Sequence, residues 1–382
     1  MKVAIVGAGS IGCFVGGALC YHAGCDVVLI GRAYLREEVD RNGGIRLSTL
    51  DEEEAVLVDR DRFPLRVATE MTEECLRDRD FVLVTVKAKD THDVALALAK
   101  ANVPTTTTIV ILQNGVFDMS VVKQELPQHT VLQGMVGFNV VWEKGATFHK
   151  GTTNPIVIEK SASSSSSSDE ANAKVNELVR KIKEAGLEVA TTTDIIATKW
   201  SKLLLNLNNA VQALSGVPLK QELKTRGYRK VFAACQREAL QVLNAHHIKT
   251  VRIGLLVPSL LPTLLSLPDW LYNLIMPVRM SSRAHGSAWE DLERKRTTEI
   301  DFLNGEIIRL AKLKGIATPV NERVVALIKE AERKAEGSPR IPPEKLYKLT
   351  TGKDLREEER RQRLFFFVVL LFVAFFVYKM FF

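Results

Sequence analysis

Cysteine is scarce in this sequence, and its spacing argues against two classes of site. The chain of 382 residues has five cysteines, an odd number, and no two form a CxxC pair. We therefore expect neither a metal centre nor a disulfide framework, and we assign the chain to a reducing compartment. The sequence also lacks a basic stripe interleaved with aromatic residues, so we expect no nucleic-acid binding.

A strong charge of either sign is missing as well. The formal net charge is +7, spread along the chain, which suits an anionic cofactor or a small carboxylate substrate. The length is enough for about two domains. An apolar run begins at Lys2, so we expect no targeting peptide before it.

The first local motif is the glycine-rich segment Gly7-Ala8-Gly9-Ser10-Ile11-Gly12, which follows the apolar run Lys2–Val6 and opens a small-residue helix. In this context Gly7 permits a tight turn and Gly9 a close approach of backbone to a pyrophosphate. Gly12 permits close packing of helix on strand. The helix N-terminus supplies N–H groups for phosphates. The motif predicts dinucleotide binding by all six residues.

Short buried strands alternate with helices through the first half of the chain. Further strands are predicted at Asp26–Ile30, Phe81–Val86, Thr108–Leu112, Val131–Phe138, Pro155–Glu159 and Leu187–Thr191, with a helix over Asn172–Ala185. This alternation is typical of a parallel α/β sheet, and we predict a Rossmann domain over residues 1–192. The six serines Ser163–Ser168 are interpreted as a loop insertion within residues 161–169.

Cofactor choice depends on the end of the second strand. An acid there would bind the ribose hydroxyl of NAD, but the sequence is Leu29-Ile30-Gly31-Arg32. Arg32 can meet a 2′-phosphate, which favours NADP; a solvated loop arginine is the alternative. Lys87 and Asn114 follow the next two strands, and ligands of open α/β sheets bind at such carboxyl ends.

From residue 193 to about 345 the pattern is mostly helical, and we predict an all-helical second domain. Lys202, Asn206 and Asn209 are spaced i, i+4, i+7, which puts them on one face of an apolar helix. The functional interpretation is a lysine that protonates a developing alkoxide, flanked by amides that hold a hydroxy acid. A lysine that reaches solvent along its apolar stem is the alternative.

The segment from Ser287 to Asp301 is densely charged, and a solvated helix face explains it equally well. Ser287 and Glu299 are 12 residues apart in the sequence, about 120° on an ideal helix. Spacing alone therefore does not pair these two residues.

The C-terminal segment Leu364–Tyr378 is LFFFVVLLFVAFFVY, with neither a charge nor a polar face. Residues 364–382 are long enough for a thin bilayer if Lys379 reaches the interface. We predict a transmembrane tail anchor after a charged linker at 346–363, with the enzyme facing the cytosol of an unspecified membrane. A buried core helix is the alternative. Between Val257 and Met280 prolines interrupt the apolar run, which predicts short packed helices.

Together these motifs resemble the ketopantoate reductase (2-dehydropantoate 2-reductase) family over about residues 1–335. The matching segments are MKVAIVGAGSIG, VKAKD, LQNGV, KWSKLLLNLNNA and SAWEDLERKRTTEIDFLNGEII, in that order. The resemblance implies a Rossmann domain, a helical domain and NADPH-dependent reduction of 2-dehydropantoate to pantoate, in the pathway to coenzyme A. Another 2-oxo acid substrate, or a catalytically silent NADPH-binding regulator, is the alternative.

The resemblance also implies roles for individual residues. Lys202 would be the proton donor and Asn206 a substrate contact. Ser287 would bind the substrate near its carboxylate, and Glu299 would lie against cofactor or substrate. Lys87 and Asn114 would line the cleft. The family often has a second asparagine where this chain has Ala210, and Asn209 is the expected substitute. No metal is implied.

Overall fold

The computed structural model describes residues 1–50, 54–162, 166–253, 257–276 and 284–360. Its strands are β1 Lys2–Val6, β2 Asp26–Ile30, β3 Gly44–Ser48, β4 Val56–Asp59, β5 Leu65–Ala68, β6 Phe81–Val84, β7 Thr108–Leu112, β8 Val131–Val136, β9 Val140–Glu143, β10 Thr147–Lys150, β11 Ile156–Glu159 and β12 Val189–Thr192. Its first six helices are α1 Ser10–Tyr21, α2 Ala33–Asn42, α3 Glu73–Leu76, α4 Thr91–Lys100, α5 Ser120–Glu125 and α6 Ser166–Glu184. The remaining helices are α7 Ile195–Asn206, α8 Asn208–Ser215, α9 Leu219–Lys224, α10 Arg226–Ala245, α11 Leu261–Leu265, α12 Asp269–Ile275, α13 Ser287–Glu293, α14 Asn304–Leu313, α15 Pro319–Lys334 and α16 Pro343–Thr351, with 3-10 turns at Ala88–Asp90 and Ile300–Phe302.

The first half folds around an eight-stranded sheet of order β12-β11-β8-β7-β6-β1-β2-β5. Every pair in this sheet is parallel except β8 with β11. Strands β6 and β7 are buried along their whole length, as expected for a sheet covered on both faces. The predicted Rossmann-type sheet is confirmed.

A second sheet of four strands, β4-β3-β10-β9, packs against α1. This sheet was not predicted from the sequence, because its strands of four or five residues carry no continuous apolar run. Trp142 on β9 and Phe148 on β10 belong to the same core cluster as α1. This sheet brings Trp142 to the edge of the site described below.

The interpretation of the serine run as a loop is wrong in its second half. Helix α6 begins at Ser166, six residues before the predicted start. Serine is well suited to the beginning of a helix, and Asp169 in the first turn complements the helix dipole. Residues 163–165 lie outside the described ranges.

The helices from α7 onward share a separate hydrophobic cluster in which α10 is central, contacting α8, α11, α14, α15 and α16. The predicted linker at 346–363 is wrong for its described part. Leu346, Tyr347 and Leu355 are buried in this cluster. Glu358 and Glu359 bind Lys230 and Arg226 of α10, which places these charges in ion pairs with the domain.

The proline-interrupted stretch forms two short helices, α11 and α12, as predicted for its described residues 257–276. The apolar tail at 364–382 lies outside the described residues. Among the helices that the structure describes, none has the length and apolar character needed to cross a bilayer.

Candidate active site

The carboxyl ends of β1, β6 and β7 open onto a cleft between the sheet and the helices, which we call the central cleft. It is lined by Gly9–Ile11, Val86, Lys87, Gln113, Asn114, Phe138, Asn206, Asn209, Ser287, Glu290, Arg294 and Glu299, among others. Most of the predicted site residues from both halves of the chain therefore meet in one place.

The glycine loop is built by close backbone packing. Gly7 has φ +95°, and a Cβ there would lie 2.5 Å from Val86 Cγ1. A Cβ on Gly12 would lie 2.6 Å from the Gly7 carbonyl oxygen, which Thr85 Oγ1 also binds. Both positions therefore require glycine.

The backbone N–H groups of the loop divide into two sets. Those of Gly7 and Ala8 donate to the Ile30 carbonyl at 3.0 Å, so Ala8 serves the loop itself. Ser10, Ile11 and Gly12 form the first turn of α1, where N–H groups have no intrahelical acceptor. The Gly9 N–H donates to the Gly7 carbonyl at 2.7 Å, and a Cβ on Gly9 would meet nothing closer than that oxygen at 4.0 Å. The three N–H groups, with this open space beside Gly9, make a site for a pyrophosphate.

Beyond the loop, a second pocket continues from the central cleft. Arg32, Lys89 and Arg296 line it together with Gly7–Gly9, and we call it the cationic pocket. Arg32 is exposed and is the N-cap residue of α2. This position is compatible with the predicted contact to a 2′-phosphate. Asp90 is the acid in its lining, within 4.0 Å of Lys89.

Lys202 lies beside the central cleft rather than in its lining. Its Nζ donates to the Gly137 carbonyl at 3.2 Å, next to the cleft residue Phe138. Burial lowers the pKa of Lys202 from 10.5 to about 8. A lysine with a pKa near neutrality both holds a proton and releases it readily, which suits a general acid.

The single helical face predicted for Lys202, Asn206 and Asn209 is interrupted. Helix α7 ends at Asn206, and α8 begins at Asn208 after a turn at Leu207. Both cleft asparagines nevertheless have partners across the site. Asn206 Nδ2 lies 3.4 Å from Asn114 Oδ1, and Asn209 Nδ2 lies 3.4 Å from Ser287 Oγ.

A bend brings Ser287 and Glu299 to the same cleft, which spacing on one helix did not predict. Helix α13 ends at Glu293, and Lys295 adopts a left-handed conformation with φ +53°. Glu299 Oε1 then accepts a hydrogen bond from the Ala88 N–H at 3.2 Å. Burial raises the pKa of Glu299.

Lys87 holds the same bend against the sheet. Its Nζ donates to the Thr297 carbonyl at 2.9 Å and pairs with Asp291 at 2.7 Å. Lys87 is thus a link between the two halves as well as a cleft residue.

Sequence reasoning missed a group of aromatic and arginine side chains at the cleft mouth. Tyr34 stacks on Trp142 with ring centroids 5.1 Å apart. Arg294 lies 5.2 Å from the centroid of Trp142, and its Nη2 donates to the Trp142 carbonyl at 2.8 Å. Arg296 is the fourth member of this group, and its guanidinium carbon lies 5.9 Å from the centroid of the Tyr34 ring. They come from three distant parts of the sequence, so no local signal reveals them.

The residues present fit a bound dinucleotide: a helix N-terminus for its pyrophosphate, cations at one end and a lysine with amides at the other. Within the described ranges, no group of three or more His, Cys, Asp or Glu side chains is placed to hold a metal ion. The fold and this cleft define a nicotinamide-dependent oxidoreductase.

Comparisons with known proteins identify the family. Residues 3–163 match ketopantoate reductase PanE/ApbA, and residues 194–332 match the ketopantoate reductase PanE/ApbA C-terminal family. The chain belongs to the ketopantoate reductase family, whose members are oxidoreductases that act on a 2-oxo acid.

Individual relatives cover nearly the same region. The 2-dehydropantoate 2-reductase of Pyrococcus horikoshii is 28% identical over 88% of this chain and 100% of that protein. That of Archaeoglobus fulgidus is 27% identical over 87% and 98%. A PanE/ApbA family ketopantoate reductase from Ralstonia eutropha JMP134 superposes with TM-score 0.68 at 26% identity, covering 88% of this chain and 100% of that chain.

A D-mandelate dehydrogenase solved with NADH and anilino(oxo)acetate has the same TM-score of 0.68 at 19% identity, covering 88% of this chain and 99% of that one. This similarity shows a shared fold.

Proposed function

We propose that this protein reduces 2-dehydropantoate to pantoate with NADPH, the activity for which its relatives from Pyrococcus and Archaeoglobus are named. The observation that carries the proposal is the meeting of the glycine loop, the Lys202 region and the Ser287–Glu299 bend around the central cleft. A bound NADPH supplies the hydride for the carbonyl carbon.

Lys202 supplies the proton for the carbonyl oxygen. Its Nζ is held by the Gly137 carbonyl beside the cleft, and a pKa of about 8 keeps it mainly protonated at neutral pH. As the oxygen gains negative charge, the proton moves from Nζ to that oxygen, and the neutral amine is the form that burial favours.

Amides and a hydroxyl at the other side of the cleft orient the substrate. Asn206 with Asn114, and Asn209 with Ser287, present two pairs of polar groups whose mutual distances of 3.4 Å mark weak bonds. These weak hydrogen bonds can break when substrate binds, and the same amides and hydroxyl can then bind the carboxylate and hydroxyl of the substrate. In this proposal Asn209 takes the role of the asparagine that the family often has at the position of Ala210.

The cofactor preference in this proposal is for NADPH over NADH. The end of β2 carries Arg32 in place of an acid, and Arg32 is exposed toward the cationic pocket. A 2′-phosphate gains charge-assisted hydrogen bonds from such a guanidinium.

The test is a steady-state assay of the full chain on a panel of 2-oxo acids with NADPH and NADH side by side. We expect the highest kcat/KM for 2-dehydropantoate with NADPH. A higher value for another branched 2-oxo acid would change the substrate and keep the chemistry. Tight NADPH binding without turnover on any substrate would favour the silent regulator and overturn the proposal.

We also propose that residues 364–382 anchor the enzyme to a membrane with its catalytic domains in the cytosol. The support is the uncharged sequence Leu364–Tyr378, flanked by Arg363 and Lys379. Deleting residues 364–382 should move the protein from the membrane to the soluble fraction with kcat retained. Full-length protein that is soluble without detergent would contradict the anchor.

A further inference from the structure

Two arginines in the bend between α13 and Glu299 reach across to the sheet domain, and they do so differently. Arg294 is occupied: its Nη2 binds the Trp142 carbonyl and lies 3.1 Å from Glu290 Oε1. Within the part of the chain that the structure describes, the Arg296 side chain has no ion-pair or hydrogen-bond partner, and its guanidinium carbon lies 5.9 Å from the Tyr34 ring centroid.

The surroundings place Arg296 in the cationic pocket. Arg32 is the N-cap of α2 and lies two residues before Tyr34 in the sequence. Since the Arg296 guanidinium is near the Tyr34 ring, it lies at the start of α2. Arg296 lines the pocket together with Arg32 and Lys89. With Lys87, four cations surround a space beside the glycine loop, and three of them belong to the sheet domain while Arg296 comes from the helical domain.

The backbone of Arg296 is fixed where it can act. Its N–H donates to the Asp291 carbonyl at 2.8 Å, after the left-handed residue Lys295. Lys87 binds the next carbonyl, that of Thr297, at 2.9 Å. Glu290 and Asp291 attract Arg296 electrostatically, but their ion pairs are made with Arg294 and Lys87, which leaves the Arg296 guanidinium available for another anion.

We propose that Arg296 is a specificity-determining residue that binds the 2′-phosphate of the cofactor from the helical domain. This inference rests on the proposed use of NADPH. Because Arg32 belongs to the sheet domain and Arg296 to the helical domain, one phosphate held by both links the two domains. A cofactor without a 2′-phosphate lacks that link.

The test measures binding of fragments that carry no nicotinamide, so it does not depend on catalysis. Binding of 2′,5′-ADP and of 5′-AMP, which differ only in the 2′-phosphate, to the full chain is followed by titration calorimetry for wild type, Arg296→Ala, Arg296→Lys and Arg36→Ala. We expect Arg296→Ala to weaken 2′,5′-ADP binding roughly tenfold or more while 5′-AMP binding stays within about twofold, because charge-assisted bonds are lost only with the 2′-phosphate. Arg296→Lys should recover part of the loss, since the charge remains without the planar fork.

Arg36→Ala is the control, because Arg36 is an exposed arginine of α2 that pairs with Asp40 and lines neither pocket. We expect it to leave the ratio of the two affinities unchanged. If wild type prefers 2′,5′-ADP and Arg296→Ala keeps that preference, the role of Arg296 is overturned while the NADPH proposal stands. If wild type shows no preference for 2′,5′-ADP, the NADPH proposal itself fails. If Arg296→Ala weakens both ligands equally, the residue acts on loop structure and the inference is also overturned.

Discussion

Helix α7 carries two lysines, Lys199, which is buried, and Lys202, which is partly buried, and they have similar pKa shifts but different partners. Lys199 is 1% exposed, and burial lowers its pKa to about 8, the same direction and size as for Lys202. Lys199 Nζ donates to Gln133 Oε1 at 3.0 Å, and Glu159 lies close enough to favour its charge. Lys202 binds a backbone carbonyl at the rim of the central cleft.

The difference teaches that a lowered pKa marks burial and does not by itself mark catalysis. Gln133 and Glu159 form a closed set of partners for Lys199, because Gln133 N–H also donates to Glu159 Oε2 at 2.9 Å. Among the residues that the structure describes, Lys202 Nζ has one hydrogen-bond partner, the Gly137 carbonyl, which lies beside the central cleft. We therefore expect substitution of Lys202 to lower catalytic activity, and substitution of Lys199 to change mainly the pH dependence of stability.

The largest effect should come from Lys202. We expect Lys202→Ala to lower kcat by roughly 10²–10⁴-fold, the usual contribution of a general acid. NADPH affinity should change little, since Lys202 is outside the glycine loop and the cationic pocket. Steady-state kinetics and a separate NADPH titration measure the two quantities. A kcat within a few-fold of wild type would remove Lys202 from the mechanism.

The second effect is a pH dependence of the same lysine. A pKa of about 8 means that Lys202 is protonated below this pH and loses its proton above it. The reduction rate should therefore be level near neutral pH and fall by about tenfold for each pH unit above the pKa. The measurement is kcat against pH at saturating NADPH. A rate that stays constant up to pH 10 would show that another group supplies the proton.

The sequence predicted the sheet domain better than the bend, for physical reasons. Strands β1, β2 and β7 were predicted to the residue because fully buried parallel strands are continuous apolar runs. The four-stranded sheet escaped because its short strands carry no comparable run. Charges near the C-terminus predicted a linker, whereas Glu358 and Glu359 bind lysine and arginine on α10, a pairing visible only in three dimensions.

The site was predictable in its parts and not in its assembly. Helical spacing selected Lys202 and both asparagines as candidates, and the structure brings Asn206 and Asn209 to the cleft although the helix is broken at Leu207. Ser287 and Glu299 reach the same cleft because Lys295 adopts a left-handed backbone conformation. A residue with a β-carbon rarely adopts this conformation, so the lysine in the sequence did not predict the bend. Tyr34 and Trp142 meet only because the small sheet folds over α1.

A smaller effect should sharpen the comparison at the α8 side of the cleft. We expect Asn209→Ala to raise the KM for the 2-oxo acid about five- to tenfold with kcat less affected, because one neutral hydrogen bond is lost. The added substitution Ala210→Asn would return an amide to the position that the family often uses. Steady-state kinetics of the single and double variants give both values. An unchanged KM in Asn209→Ala would show that Asn209 does not replace the missing asparagine.

The smallest kinetic effect should come from Lys199. Lys199→Met keeps the apolar stem and removes the charge, so we expect kcat and its pH profile to stay within about threefold of wild type. The free energy of unfolding at pH 7 should change by about 1–2 kcal/mol at most. The variant loses the hydrogen bond to Gln133, but it also loses the cost of a buried charge, and the two effects oppose each other.

The stability of Lys199→Met against pH separates the two lysines most clearly. The folded-state pKa of Lys199, about 8, lies below its ordinary value of 10.5, so the unfolded chain binds more protons between these values. Wild type should therefore gain stability relative to Lys199→Met as pH rises from about 8 to 10.5. Urea unfolding of both proteins across this range measures the difference. A difference that is flat with pH would mean that Lys199 is not buried as a charged group, and a lost kcat would place it in the mechanism beside Lys202.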